Sequence, residues 1–332
     1  MSNSIFFRFE INKKNGSGHA TRCLRIANYL YKKKFKIFLI VTERSYYNLN
    51  DTNLVDLNKF KILKIKNSNS SKKDAHHTLN CIINEKTNDK IFVFKDDYKL
   101  NLIWDNLIIK NYSNLIILDD FINKKHNCKT YINFNPYQLN QIKYKKKQTK
   151  YLIGLKYFPY SPKMISKIKK KNCLVYFGAS DNGHLTIKII KIINKLNLKN
   201  IHFTILMGKF NSDKVIIKKN TKSNYFSLVD KHIDLSKIFN RSKFMIGTGG
   251  TSLWEALVHK IYPFIIPTHK NHIDPCLYLF KKNKINYSKN FEMSEKLKKK
   301  YIFDYFKILP KLPKDIIIDN DGLKRIYNNL DV

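Results

Sequence analysis

The sequence predicts an α/β fold of two doubly wound domains facing across a cleft, on three observations. Apolar runs rich in Ile, Phe, Val and Leu alternate with segments of helical period, the pattern of a parallel sheet covered by helices. The alternation breaks once, over Pro159 to Asn172, and then restarts. In each half a glycine-rich loop follows the end of a strand-like run and opens a helix, the place where such sheets bind ligands.

The first domain is expected over 1–158, with strands at 4–9, 35–41, 60–65, 91–95, 114–118 and 130–134. Its clearest helix starts at His19. Ala20, Cys23, Leu24, Ala27, Leu30 and Tyr31 form one apolar stripe there, and Thr21, Arg22, Arg25 and Asn28 face elsewhere. The Asn/Ser/Lys stretch 67–73 reads as an exposed loop. Pro159 to Asn172, with its prolines and lysines, reads as the interdomain linker. The second domain is expected over 172–332, with strands at 173–178, 201–207, 223–228, 243–247, 262–266 and 284–288, and helices at 183–196, 232–240, 251–260, 273–282 and 293–303.

Composition narrows the class. Of the 332 residues, 43% are hydrophobic and 13% aromatic, enough for two packed cores, and there is no apolar run of roughly 18 residues to span a bilayer. The chain opens straight into a strand-like run, unlike a signal peptide. Cys23, Cys81, Cys128, Cys173 and Cys276 are scattered and odd in number, which argues against a disulfide framework or zinc site. They read mostly as small buried residues, and the expected compartment is the cytoplasm. The net charge of +38 invites a nucleic-acid reading, yet only six of the 63 basic residues are Arg, the residue that reads base edges. Abundant Lys, Asn and Ile with little Gly point instead to an AT-rich genome. No specific nucleic-acid partner is expected. The lysines should favour acidic ligands and contact with anionic membrane surfaces.

Three loops carry the chemistry. Asn15-Gly16-Ser17-Gly18-His19 turns sharply at the start of a helix, where free amides and the dipole favour negative charge. The positive dipole end also favours a neutral histidine, the form a general base needs; the bland alternative is a surface His that merely starts the helix. The loop Gly247-Thr248-Gly249-Gly250-Thr251-Ser252 can cradle a diphosphate through amides and hydroxyls. Glu255 either closes a capping box with Ser252 or accepts hydrogen bonds from a ribose diol. Gly178-Ala179-Ser180-Asp181-Asn182-Gly183 reads by default as a turn and N-cap, first in its domain. Asp96-Asp97-Tyr98, Asp119-Asp120 and Asn133-x-Asn135 end strands; such carboxylates cap helices and form turns more often than they hold a metal, and no metal or other cofactor is expected. A polar helix start accounts for His269, His272 and Asp274, and His76-His77 reads as surface.

Taken in order, Gly16-x-Gly18-His19-x-x-Arg22-Cys23-Leu24, Asp96-x-Tyr98, Asp119-Asp120, Asn133-x-Asn135, Gly178-x-x-Asp181 and Gly249 to Glu255 resemble the UDP-sugar hydrolases of pseudaminic acid biosynthesis, over roughly residues 4 to 290. Those enzymes are similar to the glycosyltransferase of lipid II synthesis and share its GT-B architecture of two Rossmann-like domains. The resemblance implies metal-independent removal of UDP from a UDP-activated diacetamido-trideoxyhexose. His19 would activate water at the anomeric carbon, Tyr98 would line the sugar site, and Gly249, Gly250, Thr251, Ser252 and Glu255 would bind UDP, with Glu255 on the ribose. Gly16, Gly18, Arg22, Asn135, Gly178, Asp181 and His272 complete the expected substrate site. The chain departs from the family at Arg8-x-Glu10, where the family has Arg-x-Asp, at Gly178-Ala179, where it has Gly-Gly, and at Asn271-His272, where it has amides. These departures touch the sugar more than the nucleotide.

The expected activity is thus an inverting UDP-sugar hydrolase acting as a monomer. The alternatives are a GT-B glycosyltransferase, with an acceptor hydroxyl in place of water, and a non-catalytic protein that binds nucleic acid through its charge.

Overall fold

A computed structural model describes residues 3–12, 16–49, 56–162, 164–165, 172–181, 183–196, 198, 200–230, 235–282, 285–287, 295–307 and 319–331. The chain forms two compact units, Met1–Ser161 with Asn320–Val332, and Pro162–Asp319.

The first unit is a wholly parallel seven-stranded sheet in the order β3-β2-β1-β4-β5-β6-β7. The strands are β1 (Asn3–Phe9), β2 (Lys36–Thr42), β3 (Lys61–Ile65), β4 (Lys90–Asp96), β5 (Leu115–Leu118), β6 (Thr130–Asn133) and β7 (Lys150–Ile153). Helices cover both faces: α1 (Gly18–Lys32), α2 (Glu43–Leu49), α3 (Ser71–Asn84) and α4 (Leu102–Asn111). A strand buried on both faces reads as a continuous apolar run, which is why Ile5-Phe6-Phe7 shows no alternation. Phe6 and Phe7 point to opposite faces, where Phe6 stacks on Phe38 of β2 at 4.4 Å and Phe7 on Phe94 of β4 at 4.6 Å. Each such ring contributes about 1.5–3 kcal/mol by leaving water. Arg8, in the same strand, is tolerated because Asp74 of α3 takes its Nε and Nη2 at 3.1 and 2.6 Å and Glu10 lies 2.8 Å away.

The second unit repeats the plan with six parallel strands in the order β10-β9-β8-β11-β12-β13. These are β8 (Asn172–Tyr176), β9 (His202–Leu206), β10 (Phe226–Val229), β11 (Ser242–Gly247), β12 (Tyr262–Ile265) and β13 (Asn286–Tyr287). Its helices are α5 (Leu185–Leu196), α6 (Lys214–Asn220), α7 (Leu235–Arg241), α8 (Thr251–Val258), α9 (Lys270–Lys281) and α10 (Glu295–Lys307). Ile189, Ile190, Ile192 and Ile193 of α5 pack with Phe203, Phe244 and Tyr305 to make the core. In both sheets the chain order reverses beside the first strand, between β1 and β4 and between β8 and β11, so the loops after those strands flank a crevice at the carboxyl edge. Two Rossmann-like units of this kind are the GT-B composition.

The structure departs from the sequence reading in several places. β7 and helices α2, α3, α4 and α6 lie beyond the elements that the sequence pattern predicts; β7 is four residues long and fenced by lysines, so it carries little pattern. The stretch 67–73 is loop only to Ser70, whose hydroxyl accepts from the Lys73 amide and caps α3. Residues 163 and 166–171 of the linker, Asn15, Asn182, 232–234, 284, 288 and 293–294 lie outside the described residues. The expected strand 284–288 is seen as Asn286–Tyr287, and the expected helix 293–303 is seen from Glu295. The chain's last helix, α11 (Gly322–Asn328), packs with the first unit, whereas the sequence pattern predicts a second domain over all of 172–332. A Cβ on Gly322 would lie 2.0 Å from the Phe158 carbonyl oxygen, Leu323 and Ile326 are buried, and Arg325 Nη1 donates to the Lys156 carbonyl at 2.9 Å. A sequence boundary at the linker says nothing of a segment that returns. Of the cysteines, Cys23, Cys128, Cys173 and Cys276 are buried and Cys81 is half-buried. His76 is exposed and His77 half-buried. Among the described residues no helix is long and apolar enough to cross a membrane.

Candidate functional site

In the first unit the segments after β1, β4, β5 and β6 bring six polar side chains together. Gly16 holds a left-handed φ of +69°, and its amide donates to the Asn12 carbonyl at 2.8 Å, so the chain turns back before α1. His19, in the first turn of α1, then points its Nδ1 at Asp96 Oδ1, the last residue of β4, at 2.6 Å. Arg22, one turn on, forks over both oxygens of Asp96 and reaches Asp120 Oδ1 with Nη1 at 2.7 Å. Tyr98 donates its hydroxyl to the other oxygen of Asp120 and meets the His19 ring edge-on at 4.4 Å. Asn135 Nδ2 donates to the Asp120 carbonyl at 3.2 Å, while its own amide donates to Asn133 Oδ1 at 3.0 Å.

The electrostatics follow from burial. His19, Arg22 and Asp96 are 5%, 4% and 0% exposed. Burial alone would raise the Asp96 pKa, but the charges and hydrogen bonds of Arg22 and His19 outweigh it and hold the carboxyl far below the usual range. Asp120 is likewise lowered, burial being outweighed by Arg22 and the Tyr98 hydroxyl. Burial and then Asp120 push the Tyr98 phenol up, so it stays a donor. An ionised Asp96 can only accept, and its 2.6 Å contact is shorter than the 3.3 Å approach of Arg22 Nη2 to the same nitrogen, so in a neutral ring the proton sits on His19 Nδ1 and Nε2 is the acceptor. A carboxylate–imidazole pair in this tautomer can take a proton from water and stabilise the imidazolium that forms.

The second unit presents a different site. After β11, Thr248-Gly249-Gly250 leads into α8, whose N-cap is Gly250, with Thr251 and Ser252 in the first turn. A Cβ on Gly249 would lie 2.4 Å from Cys276 Sγ and 3.0 Å from His272 Cβ, so only glycine lets α9 approach. His272, in the first turn of α9, places Nδ1 3.2 Å from Thr248 Oγ1, which also lies 2.8 Å from Thr268 Oγ1. Gly178, with φ +87°, brings the loop after β8 alongside: a Cβ there would be 3.9 Å from Thr248 Cγ2. Backbone amides at the start of α8, with hydroxyls and an imidazole around them, form a surface suited to phosphate oxygens.

Two expectations for this unit resolve locally. Ser252 is not the N-cap of α8, so no capping box forms with Glu255; the helix already begins at Thr251. Glu255 is buried on the second turn beside Tyr176, whose phenol is pushed up by burial and by that carboxylate. Asp181 is the cap of α5: Oδ1 accepts from the Leu185 amide and Oδ2 from the Thr186 amide, both at 2.9 Å. Helix α9 starts at Lys270, three residues before the expected 273, and this places His272 within it.

The resemblance groups His19 and Arg22, from one motif, with Tyr98 from another, and the structure puts the three in contact. Sequence reasoning leaves Asp96 and Asp120 as strand-end carboxylates that form turns or, less often, hold metal. They are the anchors of the cluster, while their neighbours Asp97 and Asp119 are the turn formers, accepting from the amides of Lys99 and Phe121. Only which way each side chain points separates the two roles.

No protein-family model and no curated protein sequence matches the chain. Solved structures do. MurG of Acinetobacter baumannii superposes with a TM-score of 0.67 at 10% identity, over 99% of this chain and 98% of that one. Staphylococcus aureus MnaA, solved with UDP, gives 0.66 at 12% identity over 99% and 95%. A putative UDP-N-acetylglucosamine 2-epimerase from Listeria monocytogenes gives 0.63 at 10% over 98% and 95%. At such identities the likeness is one of fold, and that fold is GT-B.

Proposed function

We propose that this protein processes a UDP-activated sugar, and that it hydrolyses a UDP-diacetamido-trideoxyhexose to UDP and free sugar. The observation that carries the reading is the buried pair of His19 and Asp96, which leaves His19 Nε2 as a proton acceptor. Neighbours of the same fold support the nucleotide: one was solved with UDP and another is described as acting on UDP-N-acetylglucosamine.

In the proposed step, His19 Nε2 takes a proton from water as the water oxygen bonds to the anomeric carbon from the face opposite the phosphate. The bond from that carbon to the β-phosphate oxygen breaks and its electron pair leaves with UDP. Asp96 stabilises the imidazolium, a contribution of about 10²–10⁴ in rate for a positioned base. Arg22 fixes Asp96, and Tyr98 borders the sugar. Amides at Gly250 to Ser252, with the hydroxyls of Thr251 and Ser252, hold the departing diphosphate, and Glu255 takes the ribose. Gly178 and His272 border that diphosphate, while Asp181 acts by capping α5.

An acceptor hydroxyl in place of water would turn the same arrangement into a glycosyltransferase. The test is release of UDP and free hexose in EDTA, with and without candidate acceptors. Release without acceptor supports hydrolysis, and release only with acceptor supports transfer. Salt-sensitive binding of any polyanion with no UDP affinity would remove both readings.

A further inference from the structure

The connection from β5 to β6, residues 119–129, contains no helix or strand, yet it carries Asp120, on which Arg22 and Tyr98 both depend. Backbone bonds hold it only at Asp119, Ile122 and Lys129, and the Tyr131 hydroxyl and Asn135 side-chain amide donate to the Phe121 and Asp120 carbonyls at 2.6 and 3.2 Å, so side-chain ties carry much of its position. The tie that links this segment to helix α4 through two carboxylates is His126. Its Nε2 lies 2.8 Å from Asp119 Oδ2, beside Asp120, and its Nδ1 lies 3.2 Å from Asp105 Oδ2 of α4. Asp105 is itself anchored by the buried Lys95 of β4, and its Oδ2 also accepts the Asn127 amide at 3.3 Å.

We propose that His126 is a positioning residue for the first-unit site: as an imidazolium bridging Asp105 and Asp119 it holds the 119–129 loop so that Asp120 meets Arg22 and Tyr98. The inference rests on the reading of that site as the reaction centre. Both ring nitrogens face carboxylate oxygens, and only the doubly protonated ring can donate to both. In a neutral ring one lone pair would confront a carboxylate, and one end of the tie would be lost.

The other groups facing the ring agree with this. Burial opposes the charge, and Lys95 opposes it further, but the hydrogen bonds to Asp105 and Asp119 outweigh them and raise the His126 pKa above its ordinary value. Lys124, 3.9 Å from Asp119, competes weakly for the same carboxylate. Tyr131 packs against the ring at 5.6 Å, and the nearby Cys128 thiol, pushed up to about 12 mainly by burial, stays neutral. The tie is therefore complete below pH ~6.5 and is lost as pH rises through the raised folded value.

The experiment is a histidine-selective ¹H–¹³C NMR titration of the full chain, with UDP-sugar turnover followed over the same pH range, for wild type, His126→Gln and His126→Asn. The expected result is a His126 titration above 6.5, a step in the His19 resonance at the same pH, and an alkaline fall in turnover matching it. His126→Gln should abolish the step and the matching alkaline fall and lower turnover about tenfold at pH 6.5, with UDP affinity unchanged. A His19 resonance without a step, or an alkaline limb that survives in folded variants, overturns the proposal. The wild-type titration needs no folded variant to show or exclude the His19 step. If no UDP-sugar is turned over, the hydrolase reading fails, while the His19 step still decides whether His126 positions the site.

Discussion

His19 Nδ1 stands 2.6 Å from Asp96 Oδ1 across 77 residues of sequence, in a pocket of protein that leaves Asp96 no exposed surface. Parallel β1 and β4 are direct neighbours, with Phe9 opposite Asp96, so the helix after one strand begins where the other strand ends. Replacing His19 by Ala should lower UDP release by about 10²–10⁴ while calorimetry shows UDP binding unchanged. Asp96→Asn should lower it about as much by disturbing the tautomer. Loss of UDP binding with the rate would mean that His19 contacts the nucleotide and is not the base.

Acid stability tests the same cluster. Asp96 and Asp120 both have folded pKa values below the ~3.9 of an unfolded chain. Their stabilisation is complete above that value and disappears as pH falls through the lowered folded values. Urea unfolding at a series of pH values should show a steep loss for wild type below pH ~4 and a shallower one for Asp96→Asn. At neutral pH that variant should be destabilised by about 3 kcal/mol, since Arg22 loses a buried partner.

Gly249→Ala places a methyl 2.4 Å from Cys276 Sγ. It should cost about 1–3 kcal/mol in thermal unfolding and weaken UDP binding at least ~10-fold, because α9 must move away from the loop. Adding Cys276→Ala should recover part of the stability. No recovery would place the strain elsewhere.

Glu255→Gln tests the ribose assignment. Wild type should prefer UDP over 2′-deoxy-UDP, and the variant should lose most of that preference, a change of about tenfold for one charged hydrogen bond. Equal preference in both proteins would return Glu255 to a structural role beside Tyr176.

What the sequence determined by itself was local. Runs such as Ile5-Phe6-Phe7 and the isoleucines of 185–196 announce buried strands and helices through their period. Gly16 and the Gly247 to Gly250 loop announce turns at helix starts through backbone conformation, and neither signal needs a distant partner. Short or charged elements such as β7 were lost because four residues between lysines carry no period.

The tertiary structure decided whatever depends on distant chain segments meeting. It chose Asp96 over Asp97 and Asp120 over Asp119 as partners of Arg22, placed Ser252 inside α8 and not at its cap, and returned α11 to the first unit. It also joined His126 to two carboxylates, Asp105 and Asp119, that nothing in its own neighbourhood marks. Hydrogen bonds are directional and short-ranged, so the side chain that fills one is set by the register of packed strands and helices rather than by spacing along the chain.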